Sequence, residues 1–454
     1  MIGFALTVLY LLTTYLGTDT VFGPLVAYHV ELIIALVVIL VSLPSFPGSL
    51  VLKTPQSLAL VGLALAVFLS VLATGWTGGA VQAFQTFIPN AFAYFLICLH
   101  CNSRSRLKFI VVLLLFVCLF VTVRGSMELR SVAAPDTTAD SSTAAGEYLL
   151  GQQNEAGQWF YRLRGKNLVN DPNDFAQLTV CVIPLVFIFW RPKKRLWDIA
   201  CVLLPVGTLI YAAFLTHSRG FLVAFLAMAI VAGRRRIGTV PSVILAGVMF
   251  FGASALNFTG GRDISLDAGS DRMELWAGGL EALKAHPIFG VGFGGLPDFM
   301  GLTAHNSIVV CAAELGLFGL FFWSLFLFPT LRDALAMTSI IQTQGGETIP
   351  GSSSLRANKQ IEKDLNQEEI VRFARLIVLS FTGFLVAGFF LSRAFVLTMF
   401  LIGGMAEVVY EMALRRGIIS ARWQFMRVLP YAGGFAIALL LMVYMTLRVT
   451  NLMH

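Results

Sequence analysis

The side chains best suited to chemistry lie in and around a polar, glycine-rich stretch between residues 271 and 319. His305 stands directly before a long apolar run, and an imidazole, with an ordinary pKa of about 6.5, suits proton transfer at neutral pH. Arg272 lies at the start of the stretch, and Arg219 lies where two other apolar runs meet. Because a planar guanidinium group binds phosphate oxygens through two parallel hydrogen bonds, these residue types predict proton transfer beside a phosphate-bearing anion.

The composition indicates that these residues are positioned by membrane helices. The 454 residues are 57% hydrophobic and 13% charged, with a mean hydropathy of +0.80, whereas soluble domains carry about 25% charged residues. We therefore expect an all-α polytopic membrane protein with about 13 (12–14) transmembrane helices. The thirteen candidate spans are about 2–17, 25–43, 57–74, 80–99, 107–124, 174–190, 196–216, 219–233, 238–256, 306–328, 373–391, 394–414 and 428–448.

Basic loops predict the orientation of these spans. Clusters at 104–108, 191–195, 234–236, 331–372 and 415–427 all fall on one side of the alternating spans, which we take as cytoplasmic together with the N-terminus. The net charge of +7 fits such loops, and no nucleic-acid partner is expected. The predicted parts are a bundle (1–124), a periplasmic loop (125–173), a core (174–330) containing a second periplasmic loop (257–305), a cytoplasmic loop (331–372) and C-terminal helices (373–454).

The first long loop has two parts of different composition. Residues 125–145 are rich in Ser, Thr and Ala, which is typical of mobile segments. The second part contains the aromatic residues 159–161, the basic residues Arg162 and Arg164, and a turn that runs from Asn170 to Asp174 and includes Asn173. Aromatic rings beside arginines suit stacking on sugars and pairing with anionic groups.

The second long loop is expected to contain a helix over about 271–285. Its apolar stripe, which includes Trp276, should lie on the membrane surface and direct Arg272 towards the site. The glycines at 290–295 match a dinucleotide-binding pattern, but no strand precedes them, so we expect them to let the loop turn tightly back into the helices. Glu314 is an intramembrane acid about half a turn out of phase with His305, and we place it outside the site.

Structural interpretations of the candidate residues remain open at this level. His305 and Asn306 together fit the N-cap of the following helix. Arg219 fits an arginine that extends its head group to the membrane interface. His217 and His286 are alternative bases on the same side, although structural roles are expected for both.

Taken together, these motifs resemble the O-antigen ligase/polymerase family of bacterial envelope enzymes. The matching pieces fall within about residues 160–320. They are Asn170 to Ala176, Ser218-Arg219-Gly220, Arg272 with Leu275-Trp276, residues 286–295, Ala304-His305-Asn306 and Ala313 to Gly319. The family is drawn with twelve spans, whereas this sequence shows thirteen candidates. This difference affects the predicted topology of the C-terminal end more than the predicted site.

The resemblance implies a GT-C-like glycosyltransferase in the inner membrane, with its active site facing the periplasm. The donor would be a glycan on undecaprenyl pyrophosphate, with His305 as the base and Arg219 and Arg272 on the pyrophosphate. Substrate-binding roles are expected for Arg162, Arg164, Asn170, Asn173, Trp276 and Asn306. The two long loops contain no Asp-x-Asp motif or metal-ligand cluster, so we expect neither a metal nor a cofactor.

The acceptor distinguishes the remaining hypotheses. A polymerase uses another lipid-linked glycan, and a ligase uses the lipid A core. The cluster at 159–164 favours a polymerase, because a lipid-linked acceptor brings a second pyrophosphate. Partners in polysaccharide export are compatible with either activity. A transporter or lipid flippase, which would show two related halves with interrupted helices, and an inactive envelope scaffold are alternatives of other classes.

Overall fold

The protein is a bundle of apolar helices with one small β-hairpin. A computed structural model describes residues 2–23, 30–46, 54–131, 146–153, 157, 159–256, 258–259, 270–339, 354–419 and 421–449. The helices are α1 (Ile2–Leu16), α2 (Thr18–Phe22), α3 (Val30–Ser42), α4 (Pro55–Leu72), α5 (Thr77–His100), α6 (Arg104–Ser131), α7 (Pro172–Val186), α8 (Arg195–Asp198), α9 (Leu204–Thr216), α10 (Arg219–Ile237), α11 (Thr239–Ala255), α12 (Ser270–Ala285), α13 (Leu296–Met300), α14 (Ser307–Ser339), α15 (Ser354–Gly388), α16 (Leu397–Arg415) and α17 (Phe425–Val449).

The lengths and apolar composition of these helices make the chain a multi-pass membrane protein. Within the described ranges, nine helical segments are long and apolar enough to cross a membrane. They are Pro55–Leu72, Thr77–His100, Arg104–Ser131, Pro172–Phe189, Arg195–Thr216, Ser307–Thr338, Gln367–Gly388, Leu397–Arg415 and Phe425–Val449. Three shorter apolar helices and α10, which ends in three arginines, coincide with the other four predicted spans. The number of thirteen crossings stays a prediction. Residues 125–131, expected to belong to a mobile segment, are instead the last two turns of α6, and residues 331–339 and 354–372 of the predicted cytoplasmic loop belong to α14 and α15. Residues 132–145 and 340–353 lie outside the described residues.

A β-hairpin interrupts the expected all-helical architecture. Strands β1 (Leu149–Gln153) and β2 (Trp159–Leu163) pair antiparallel, with Leu150 opposite Arg162. Five-residue strands with polar residues among the apolar ones give too short a periodic pattern to be recognised in a sequence. The hairpin lies at the end of the bundle opposite the basic loops, which is called the distal side below.

Helix α14 is broken at Gly316. This residue has φ 65° and ψ −168°, which no α-helix contains, so the backbone groups on either side lose their partners. On the C-terminal side, the N–H of Leu317 donates to the Pro287 carbonyl at 2.9 Å. The N–H of Phe318 donates to the Ile288 carbonyl at 3.2 Å. The glycine-rich loop before α13 therefore takes the place of the preceding helical turn.

The carbonyl groups on the N-terminal side of the break are satisfied by the same loop. The N–H of Val291 donates to the Ala313 carbonyl at 2.9 Å, and that of Gly292 to the Glu314 carbonyl at 3.1 Å. The two helical hydrogen bonds that would join residues 317 and 318 to residues 313 and 314 are thus replaced by four bonds to residues 287–292. Irregular backbone at membrane depth is stable only when it is buried and paired in this way. The prediction that the glycines return the loop to the helices is confirmed.

Glu314 lies at this break rather than at the histidine. Its side chain is buried, with 5% exposed, and the backbone N–H groups of Gly294 and Leu296 face its carboxylate. The acid therefore fixes the end of the glycine-rich loop and the start of α13. This placement agrees with the expectation that Glu314 lies outside the site around His305.

The packing at the break predicts that stability depends on which loop glycine is given a side chain. Both Gly290 and Gly294 have left-handed backbones (φ 71° and 75°), but a Cβ on Gly290 would lie 2.4 Å from the Ala313 carbonyl oxygen, whereas one on Gly294 meets nothing within 4 Å. We expect Gly290→Ala to cost about 1–3 kcal/mol more than Gly294→Ala, because only the first must displace backbone. Thermal melting of the two variants in detergent measures the difference, and equal melting temperatures would contradict the packing described here.

Helix α12 packs into the bundle instead of lying on the membrane surface. Trp276 is 4% exposed and Leu280 7%, and both belong to the hydrophobic core. The Trp276 ring meets Phe389 edge to face, with centroids 5.0 Å apart. The expectation of a surface helix was therefore wrong, because its apolar stripe is covered by α14 and by Phe389, which directly follows α15.

Candidate functional site

Three arginines converge at the distal side. Burial is the main reason that the pKa of Arg162 falls to about 10, and the positive charges of Arg219 and Arg272 lower it further. Burial also lowers the pKa of Arg272, with a contribution from Arg219. Guanidinium groups influence each other in this way only when they are close, so the three predicted arginines form one positively charged cluster.

Arg162 supports this cluster from within the protein. Its side chain is 4% exposed, and it donates to the Thr216 carbonyl (Nε, 2.8 Å), Gln152 Oε1 (Nη1, 2.9 Å) and Asn173 Oδ1 (Nη2, 3.0 Å). Each of its three nitrogens is therefore engaged by the hairpin, α7 or the end of α9. Arg162 contributes charge to the site and holds the hairpin against the helices.

Asn173 connects Arg162 to Arg219. Its Oδ1 also accepts a hydrogen bond from Ser218 Oγ at 2.9 Å. Ser218 Oγ in turn caps α10 by accepting the Phe221 N–H at 3.3 Å. Arg219 is the first residue of α10, so the positive end of that helix adds to its charge. The predicted residue Asn173 thus fixes the helix that carries Arg219.

His305 lies directly before α14 in a constrained conformation. Its φ of 50° is left-handed, which is rare for residues other than glycine. Burial lowers the pKa of His305 below 6.5, the nearby charges of Arg272 and Arg393 lower it further, and Asp171 opposes them. The imidazole is consequently neutral at pH 7, which is the form that accepts a proton.

Asn306 is the N-cap of α14. Its Oδ1 accepts the N–H groups of Ile308 (2.9 Å) and Val309 (3.2 Å), and the side chain is completely buried. The capping interpretation is therefore the one that the geometry shows for Asn306. Its Nδ2 is buried and makes no hydrogen bond within the described residues. Trp276 likewise acts as a core residue one turn below Arg272.

Arg164 and Asn170 lie at a different place from the arginine cluster. They line a polar cavity of about 370 Å³ between the end of α1 and the segment that follows β2. Within it, Lys166 pairs with Asp19 at 2.9 Å and with Glu147 at 2.7 Å. The predicted substrate-binding residues therefore fall into two groups, one at His305 and one in this cavity.

The two alternative bases have structural surroundings. The Nδ1 atom of His217 lies 2.9 Å from the Phe258 carbonyl, and its ring packs against Phe160 and Phe214 with centroids 5.3 and 5.6 Å apart. His286 is exposed at the end of α12, where its N–H donates to the Ala282 carbonyl. His217 lies two residues before Arg219, whereas His305 is the histidine whose pKa the charge of Arg272 lowers.

The turn between α15 and α16 contributes residues that the sequence analysis missed. Ser392 and Arg393 lie there, and Arg393 forms a bidentate ion pair with Asp174 at the start of α7. A Ser-Arg pair at the distal junction of two spans repeats the pattern of Ser218-Arg219, and this repetition was the available clue. It was overlooked because the two spans were predicted to be almost contiguous.

An apolar cavity of about 370 Å³ lies next to the site, between the helices of the bundle. Its lining includes Ser307 and Ile308, which follow His305, and Val223, one turn after Arg219. Phe389, which contacts Trp276, also lines it, and the other end is formed by α17. An apolar space thus adjoins the positively charged cluster on its membrane side.

Comparison with known proteins supports the resemblance. A family model described as O-antigen ligase matches residues 204–324. This range contains Arg219, Arg272 and His305, and it excludes Arg162 and Arg393. No curated protein matches the chain. Residues 204–324, which include the candidate base and two of the candidate arginines, are thus similar to the O-antigen ligase family of polysaccharide assembly.

Proposed function

We propose that the protein is a glycosyltransferase of the inner membrane that moves a glycan from undecaprenyl pyrophosphate to an acceptor on the periplasmic side. The observation that carries this proposal is the position of a half-buried His305 beside Arg272, whose guanidinium group is in turn close to that of Arg219. A base beside concentrated positive charge suits a reaction in which a hydroxyl group attacks and a pyrophosphate leaves.

In the proposed reaction, His305 removes the proton of an acceptor hydroxyl group as its oxygen attacks the anomeric carbon of the donor glycan. The bond between that carbon and the pyrophosphate oxygen breaks, and its electron pair remains on the pyrophosphate. Arg219 and Arg272 stabilise the developing negative charge. Because their N–H groups are already in position, the protein does not have to reorganise during the reaction. The arginines supply the positive charge that a metal ion provides in many transferases, so the proposed step needs no metal.

The apolar cavity next to the site supports a lipid-linked donor. Its lining is formed by α10, α14, α15 and α17 at membrane depth, and Ser307 and Val223 connect it to His305 and Arg219. A polyprenyl chain in this cavity would place its pyrophosphate at the arginine cluster. The arrangement therefore accommodates a donor with an apolar tail and an anionic head.

The polar cavity around Arg164 and Asn170 supports a separate place for the acceptor. Its lining contains acidic, basic and amide side chains, so it offers both hydrogen-bond donors and acceptors, which suits a polyhydroxy ligand. With the aromatic residues 159–161 on the neighbouring hairpin, it favours a polymerase that binds a second glycan. The match to an O-antigen ligase family over residues 204–324 favours the second candidate, a ligase that transfers the glycan to lipid A core.

Purified protein in nanodiscs, supplied with undecaprenyl-pyrophosphate-linked repeat units, tests both candidates. A polymerase should form longer lipid-linked chains from the donor alone, whereas a ligase should form product only when lipid A core is added. Activity should persist in EDTA. Absence of donor consumption under both conditions, with folded protein, would refute the proposed function.

A further inference from the structure

We propose that the turn between α15 and α16 is a clamp that positions His305, and that Ser392 is its central residue. Ser392 Oγ accepts the backbone N–H of His305 at 2.8 Å and the hydroxyl of Thr303 at 2.7 Å. Both lone pairs of one hydroxyl oxygen are thereby used on the two residues that flank Ala304. This inference rests on the proposed role of His305 as the base.

The backbone of His305 needs such support. A left-handed φ of 50° persists in a non-glycine residue only when its surroundings fix it. The hydrogen bond to Ser392 holds the peptide N–H of His305 itself, and the Asn306 side chain fixes the following turn of α14. Without the Ser392 hydroxyl, the peptide before His305 is free to rotate, and the direction of the imidazole changes with it.

The clamp is anchored to the protein at two further points. Ser307 Oγ donates to the Leu391 carbonyl at 2.7 Å and accepts the Arg393 N–H at 3.0 Å, which fixes the turn to the start of α14. The Arg393 guanidinium is held through two hydrogen bonds by the carboxylate of Asp174, which fixes the turn to α7. The oxygen of Ser392 is therefore presented to His305 from a rigid support.

The same turn also sets the charge around the imidazole. Arg393 is one of the positive groups that lower the pKa of His305, after burial and Arg272. Movement of the turn would change both the direction of the imidazole and the pH at which it becomes neutral. Loss of the clamp should therefore affect turnover and its pH dependence more than binding of the donor, which the proposed function assigns to Arg219 and Arg272.

The test compares Ser392→Ala, Ser392→Thr and the control Ser380→Ala in a transfer assay. Ser380 lies on α15, is completely buried, and donates to the Cys181 carbonyl at 2.7 Å without contact to His305. We expect Ser392→Ala to lower kcat about tenfold or more while KM for the donor stays within about twofold, because misplacement of the base affects the chemical step. Ser392→Thr should restore kcat, and Ser380→Ala should match the wild type.

The pH profile provides the second readout. In Ser392→Ala the acid limb of kcat should move towards pH 6.5, because an imidazole that turns away from Arg272 loses part of the effect of that charge on its pKa. Thr303→Val removes one of the two bonds to Ser392 and should lower kcat less, which keeps the proposal testable if Ser392→Ala does not fold. Wild-type kcat in both Ser392→Ala and Thr303→Val, or a Thr variant as slow as the Ala variant, would overturn the clamp. Inactivity of the wild type itself would instead refute the proposed function.

Discussion

Replacement of His305 with alanine is expected to lower the rate of glycan transfer by about 10²–10⁴-fold without loss of folded protein, because the acceptor hydroxyl loses its base. The side chain is half-buried and makes no cap, so its removal leaves the hydrogen bonds of Asn306 to α14 intact. The measurement is kcat of the purified variant. His286→Ala is the matched control, since that histidine is exposed at the end of α12. A fall of only about threefold would be too small for loss of a general base.

The same residue determines the expected pH dependence. The pKa of His305 lies below 6.5 in the folded protein, chiefly because of burial and also because of Arg272. A base acts in its neutral form, so activity should be retained at pH 7 and fall only as the pH drops through this lowered pKa. An acid limb of kcat centred above pH 6.5 would contradict the electrostatic surroundings described for His305.

Conservative replacement of the two other proposed catalytic residues should also be damaging. We expect Arg219→Lys and Arg272→Lys each to lower kcat by about 10²-fold, because a lysine ammonium is a point charge and cannot bind two phosphate oxygens in the planar geometry of a guanidinium. The control is Arg130→Lys, at an exposed position in the last turn of α6. Rates of transfer are measured at saturating donor, together with the melting temperature of each variant.

The two lysine variants also distinguish a role in pyrophosphate binding from a role in anchoring helices at the membrane interface. If the arginines only anchored helices at the membrane interface, lysine would serve equally well, since both side chains extend to the head groups. Wild-type kcat in both variants would therefore assign Arg219 and Arg272 to the interface. A loss of kcat with unchanged melting temperature supports their placement on the departing pyrophosphate.

Much of the helical structure could be predicted from local patterns in the sequence. Long apolar runs predicted the helices, and the apolar periodicity of 271–285 predicted α12 to within one residue of its observed range, Ser270–Ala285. His305 could be placed directly before α14 because a polar pair preceded the apolar run. Such features depend on residues a few positions apart, so they can be recognised without knowledge of the tertiary structure.

The missing parts depend on residues that are distant in the chain. The buried Arg162 donates to the Thr216 carbonyl, 54 positions away, and Arg393 reaches Asp174 across 219 positions. No local pattern indicates which partner such a side chain will find. The same reason explains why Arg162 and Arg164 were assigned together although they face different groups, and why the covering of α12 by α14 was not foreseen.

The break at Gly316 has a consequence for the biogenesis of the protein. A newly inserted helix must satisfy its own backbone in lipid, so residues 313–318 are best accommodated as unbroken helix until another segment supplies partners. Those partners come from residues 287–292, which become available only when α12 and its following loop have docked. The segments that carry Arg272 and His305 therefore reach their final separation at a late step of assembly. A chain whose helices have all been inserted, but whose loop has not yet entered α14, would be complete in topology and still inactive.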